Sequence, residues 1–129
     1  MPLGDFEGSR LGASGCHPVS PVIHSEVKGT TTNGELYGLI MTTRSPIRVG
    51  DEVKIVWRMT GTGDLRATLD APDGEPVPLA WGPDEHSGSN YVRPGDEWGV
   101  GYVFDRAGCW HLGFARSDTG GDVWLQIDA

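Results

Sequence analysis

The densest run of chemically able side chains extends from Trp81 to Glu97. It places carboxylates, one imidazole, hydroxyls, an amide, a guanidinium and aromatic rings within seventeen positions. That mixture suits recognition more readily than bond breaking. Trp81, Tyr91 and Trp98 could stack against a ligand, and Arg93 could clamp a carboxylate. Asn90 or Asp84 could orient a sugar hydroxyl or a peptide group, and His86 adds a titratable ring. The segment is long for a link between strands, and long links carry function more often than short ones. A solvated loop that satisfies its own turns is the plainer account of the same residues.

Catalytic readings are weaker. Gly-x-Ser-x-Gly, Cys-x-x-Cys, Walker-type and His-Glu-x-x-His patterns are all absent. His86 could act as a base beside Asp84 or Glu85. Cys109 and His111 stand two apart, so on a strand they share a face and could form a nucleophile dyad. A metal site would draw on His17, His24, His86 and His111, with Met41 and Met59 for copper. No pair of these histidines has a recognised ligand spacing. No cofactor is implied.

These residues need strands to position them. Val53, Ile55, Trp57 and Met59 alternate with Lys54 and Arg58, and Trp98, Val100, Tyr102 and Phe104 alternate with glycines. Trp110, Leu112 and Phe114 repeat the pattern, as do Val123, Leu125 and Ile127. Further strands are expected over Val22–Val27, over Leu36–Thr42, around Leu65, Ala67 and Leu69, and as a short edge at Val77–Trp81. Thr32-Asn33-Gly34, Gly61-Thr62-Gly63-Asp64, Ala71-Pro72-Asp73-Gly74 and Asp118-Thr119-Gly120-Gly121 supply turns. No window sustains a helical period. The sum predicts an all-β, immunoglobulin-like antiparallel sandwich of seven to nine strands. Its last three strands are expected at Glu97–Phe104, Cys109–Arg116 and Asp122–Asp128.

Two further patterns bear on the turns. Arg48-Val49-Gly50-Asp51-Glu52 parallels Arg93-Pro94-Gly95-Asp96-Glu97, each ahead of an alternating strand. A shared turn that needs a glycine is the simplest explanation. Asp105-Arg106-Ala107-Gly108 resembles the corner entering the second-last strand of immunoglobulin-like domains, though the usual Tyr is absent.

With 129 residues, the chain fits one domain able to bury a core. Residues 19–129 are assigned to it, and residues 1–18 to a poorly ordered arm. The net charge of −8 argues against nucleic-acid binding. No apolar run approaches the roughly 18–20 residues that span a bilayer. Two cysteines, Cys16 and Cys109, could form a bridge worth roughly 3–5 kcal/mol on the chain-entropy view, or stand as independent thiols. The segment Leu11–Cys16 has a faint likeness to a lipoprotein cleavage site. The residues before it include acids and no hydrophobic run, so they do not form an export signal.

Gly88-Ser89-Asn90-Tyr91, Arg93-Pro94-Gly95-Asp96-Glu97-Trp98-Gly99, Gly108-Cys109-Trp110-His111 and Asp122-Val123-Trp124-Leu125 carry a family resemblance. The chain resembles an uncharacterised group of small exported or lipoprotein-type β-sandwich proteins of Gram-positive bacteria. The likeness covers roughly residues 20–128, most specifically 81–125. It implies a sandwich and a secreted or cell-surface setting, and it brings no activity. The expectation is therefore a binding module presenting residues 81–97 to a protein, peptide or glycan. An enzyme or metal protein centred on His86 or Cys109/His111 is one alternative, and a protease-inhibitor-like scaffold is another.

Overall fold

A computed structural model describes Cys16 and residues 22–23, 25–41, 47–87 and 89–129, with the backbone alone at 22–23. The expected N-terminal arm, apart from Cys16, lies outside the described residues, as do His17, His24 and Gly88.

Among the described residues, ten strands form two antiparallel sheets. They are β1 (Val22–Ile23), β2 (Glu26–Lys28), β3 (Thr30–Thr32), β4 (Leu36–Met41), β5 (Glu52–Met59), β6 (Arg66–Asp70), β7 (Trp81–His86), β8 (Asp96–Val103), β9 (Gly108–Ala115) and β10 (Gly120–Ile127). The larger sheet runs β1-β2-β4-β5-β8-β7, and the smaller β3-β10-β9-β6. Both expose one face and bury the other, which is why the sequence alternates.

Alternation decides which face enters the core. Val53, Ile55, Trp57 and Met59 of β5 are fully buried, as are Val100 and Tyr102 of β8. Trp110, Leu112, Val123 and Ile127 meet them from the smaller sheet. Rings bridge the layers, with Trp57 centred 4.4 Å from Phe114 and Phe104 5.2 Å from Trp110. A side chain at Gly38 would strike the Trp57 ring, so this glycine makes room for the largest core residue. The Trp57 indole donates to the Tyr102 hydroxyl at 3.1 Å, which satisfies two polar groups inside the core. Burial pushes the Tyr102 phenol well above its usual range, so it stays protonated.

The fold departs from expectation in three places. Val22–Val27 divides at Ser25, which takes a positive φ of 68°, giving two short strands. Thr30–Thr32 forms an extra short strand, bringing the total to ten. The edge strand predicted at Val77–Trp81 instead runs from Trp81 to His86. Pro76 and Pro78 lack the N–H groups a ladder needs, and Val77 donates to the Leu69 carbonyl. Pro83 is accommodated because β7 is an edge strand, with a register irregularity between Trp81 and Asp84.

The turn parallel is upheld. Gly50 has φ 89° and Gly95 φ 97°, and each precedes a long strand of the larger sheet. The corner between β8 and β9 is tied by Trp110. Its indole N–H donates to the Arg106 carbonyl at 2.8 Å. The Cys16–Cys109 bridge is formed, with Cα atoms 4.9 Å apart.

Candidate functional site

The segment 81–97 has three structural parts. Its first third is strand β7, paired with β8. Residues 89–95 of the 87–95 connection are held against the outer face of the larger sheet, and Asp96 and Glu97 open β8. That face presents Tyr37, Lys54, Val56, Arg58, Glu97, Gly99 and Gly101, the residues that alternate away from the core.

Arg93 anchors the far end of the connection. Its guanidinium binds both carboxylate oxygens of Glu26 on β2, at 2.6 and 2.5 Å. It also lies over the Tyr37 ring, 4.5 Å from the centroid. The Tyr91 hydroxyl donates to the same Glu26 carboxylate at 2.7 Å. The hydrogen bond from Arg93 holds the Glu26 carboxyl below its ordinary range, against a smaller opposing effect of burial. Burial and then the Glu26 bond push the Tyr91 phenol up.

Arg58 anchors the middle. It projects outward from β5 and donates to the carbonyls of Tyr91, at 3.1 Å, and Gly95, at 2.5 Å. Its Nε also lies 3.3 Å from the carboxylate of Glu97, which is only 4% exposed. Glu97 accepts from the Ser89 hydroxyl and pairs with His86 Nδ1 at 3.2 Å. One buried carboxylate thus gathers Arg58, His86 and Ser89.

This geometry revises several expectations. Trp98 is 4% exposed and faces the core, where Arg116 lies over its ring at 4.7 Å. It cannot join Trp81 and Tyr91 in a platform, because neighbours on a strand face opposite sides. Trp81 does lie on the outer face, over Gly101, with the Lys54 ammonium 6.0 Å from its ring centre. The carboxylate clamp expected of Arg93 is already filled by Glu26. Asn90 and Asp84 are exposed, and so is Val92, at 86%.

Of the catalytic arrangements expected, His86 meets Glu97 rather than Asp84 or Glu85, and the same Glu97 carboxylate accepts from the Ser89 hydroxyl. The Cys109 sulfur is bonded to Cys16 and offers no thiolate. The metal candidates among the described residues are scattered. His86 and His111 lie on the outer faces of opposite sheets, Met59 is in the core, and Met41 is half exposed. Among the described residues, no group of three or more His, Cys, Asp or Glu could hold a metal ion.

His111 itself has a distinct setting. It rises from β9 between Asp70 of β6 and Asp122 of β10, with Nδ1 3.0 Å from the first and Nε2 2.7 Å from the second. The Trp124 ring lies 4.9 Å away, centre to centre.

Sequence reasoning missed Glu26, Arg58, Glu97, Asp70 and Asp122 as members of these clusters. The one available signal was alternation, which turns Arg58 outward. Its partners depend on cross-strand register, which alternation does not supply. No protein family, no curated protein and no solved structure matches the chain.

Proposed function

We propose that the protein is an exported, non-catalytic interaction module of immunoglobulin-like type. Its contact surface is the braced 87–95 connection with the adjoining β7 edge. The observation that carries this reading is the bracing itself. Arg58, Glu26 and Glu97 hold the connection from three strands while Val92 stands 86% exposed between the anchors. A loop already fixed in shape loses little conformational entropy when it binds. The exposed valine, with Asn90 and Asp84 nearby in sequence, offers one apolar contact flanked by hydrogen-bonding groups. That favours a protein or peptide over a glycan, since the aromatic platform lacks Trp98.

The strand order supports the immunoglobulin-like assignment. Numbering β4 to β10 as seven successive strands puts the first, second, fifth and fourth in one sheet and the seventh, sixth and third in the other. The disulfide is compatible with an oxidising, extracellular setting, as is the resemblance to exported sandwich proteins.

The test compares retention of extracellular and cell-wall proteins on the immobilised parent and on a Val92→Asp, Asn90→Ala variant. A partner held by the parent and lost by the variant supports the reading. Equal retention by both, or none by either, overturns it.

One observation favours a second reading as a protease-inhibitor-like scaffold. Arg58 binds carbonyls on both sides of Val92, as a scaffold does when it holds a substrate-like loop extended. Inhibition of endopeptidases that accept small aliphatic side chains, abolished by Val92→Asp, would select this reading.

A further inference from the structure

The three-strand cluster on the outer face of the smaller sheet is independent of the braced loop. His111 has a carboxylate on each ring nitrogen, Asp70 at Nδ1 and Asp122 at Nε2. A carboxylate only accepts hydrogen bonds, and a neutral imidazole has only one N–H to give. Both contacts are therefore satisfied together only by the imidazolium. In either neutral tautomer, one nitrogen lone pair would face a carboxylate oxygen about 3 Å away, a repulsive arrangement.

We propose that His111 is a proton-operated latch across the smaller sheet, closed when the ring is charged. The latch joins the last residue of edge strand β6 to β9 and β10. It opens at Nδ1, because the shorter contact to Asp122 is the stronger and retains its proton. Opening releases the Asp70 side chain, while backbone pairing with His111 and the bridge to Pro76 keep the end of β6 in place. Cys109, bonded to Cys16, stands two residues before His111 on the same face of β9.

The surrounding charges set the direction. Asp70 from β6 and Asp122 from β10 are the charged groups acting on the ring. On β9 its same-face neighbours are the bonded Cys109 and Gly113, and β10 adds the uncharged Trp124 ring. Burial, the largest single effect, favours the neutral ring. The hydrogen bonds and charges of the two carboxylates together outweigh it and hold the folded midpoint above the ordinary 6.5. A raised folded midpoint means that the stabilisation is complete below 6.5 and is lost as pH rises through the folded value.

Nitrogen-15 chemical shifts of the His111 ring, followed from pH 5 to pH 9 in the intact disulfide-bonded protein, provide the test. Both nitrogens should be protonated below 6.5, with a midpoint above it, and Nδ1 should lose its proton first. Asp70→Asn and Asp122→Asn should each lower the midpoint. Urea unfolding should show the parent losing stability from pH 6.5 to 9 relative to His111→Gln. A midpoint at or below 6.5, or a neutral ring with the proton on a carboxyl, overturns the latch. Parallel stability curves for parent and His111→Gln also overturn it. If His111→Gln does not fold, the ring shifts of the parent decide alone.

Discussion

His86 and His111 sit on outer faces of opposite sheets, each beside carboxylates, yet they are differently equipped. His86 meets one carboxylate through one nitrogen, and that carboxylate also takes Arg58 and Ser89. His111 meets two carboxylates, one through each nitrogen. On the larger sheet the histidine is a minor member of a network that fastens a loop. On the smaller sheet it is the bridge itself. The same residue type does different work because register, not composition, sets how many acceptors reach the ring.

The largest expected effect comes from cutting the link behind the smaller sheet. Changing Cys16 and Cys109 to Ser removes a bridge between positions 93 apart. That should cost roughly 4–5 kcal/mol on the chain-entropy view, as measured by urea unfolding. A loss below about 1 kcal/mol would mean that His111 and its neighbours hold that region without the bridge.

Next is Glu97→Ala. It removes the shared acceptor of Arg58, His86 and Ser89 from a buried position and should cost about 3 kcal/mol. The braced connection should become labile to protease while the smaller sheet keeps its amide protection. If protection falls equally in both sheets, the two outer faces are one cooperative unit and the contrast between them fails.

Gly101→Ala probes the cover of the larger sheet. The added carbon would fall within the Trp81 ring and must displace it. A cost of about 1–3 kcal/mol is expected, with a red-shifted tryptophan emission as one indole enters water. Unchanged emission would show that the ring shifts without leaving the face.

The smallest global effect is expected from Glu26→Ala, whose side chain is partly exposed. It should leave the midpoint of unfolding nearly unchanged but speed amide exchange at residues 89–95, since Arg93 and Tyr91 lose a common acceptor. Unaltered exchange there would assign the bracing to Arg58 and Glu97.

The sandwich was legible in the sequence because four strands alternate strictly, and alternation is what two packed sheets require. The β5, β8, β9 and β10 faces follow directly from Val53–Met59, Trp98–Phe104, Trp110–Phe114 and Val123–Ile127. The edge strand was misplaced because Trp81–His86 has little apolar pattern and contains a proline. Its place is fixed by pairing with β8. The site was half legible. The right segment stood out by its residue types, but Trp98 belonged to the core strand beside it. What holds Arg93 is Glu26, 67 positions away, and nothing local announces such a partner.

Strand β3 also has a consequence for how the molecule assembles. Among the described residues, its three residues pair only with Gly120, Gly121 and Asp122, about ninety positions later. Arg48 likewise bridges to Asp128. The smaller sheet therefore cannot be completed until β10 has left the ribosome. Until then its early partner strand waits with an open hydrogen-bonding edge. A chain built this way folds slowly for its size and is most prone to pair with a neighbouring copy before β10 is available.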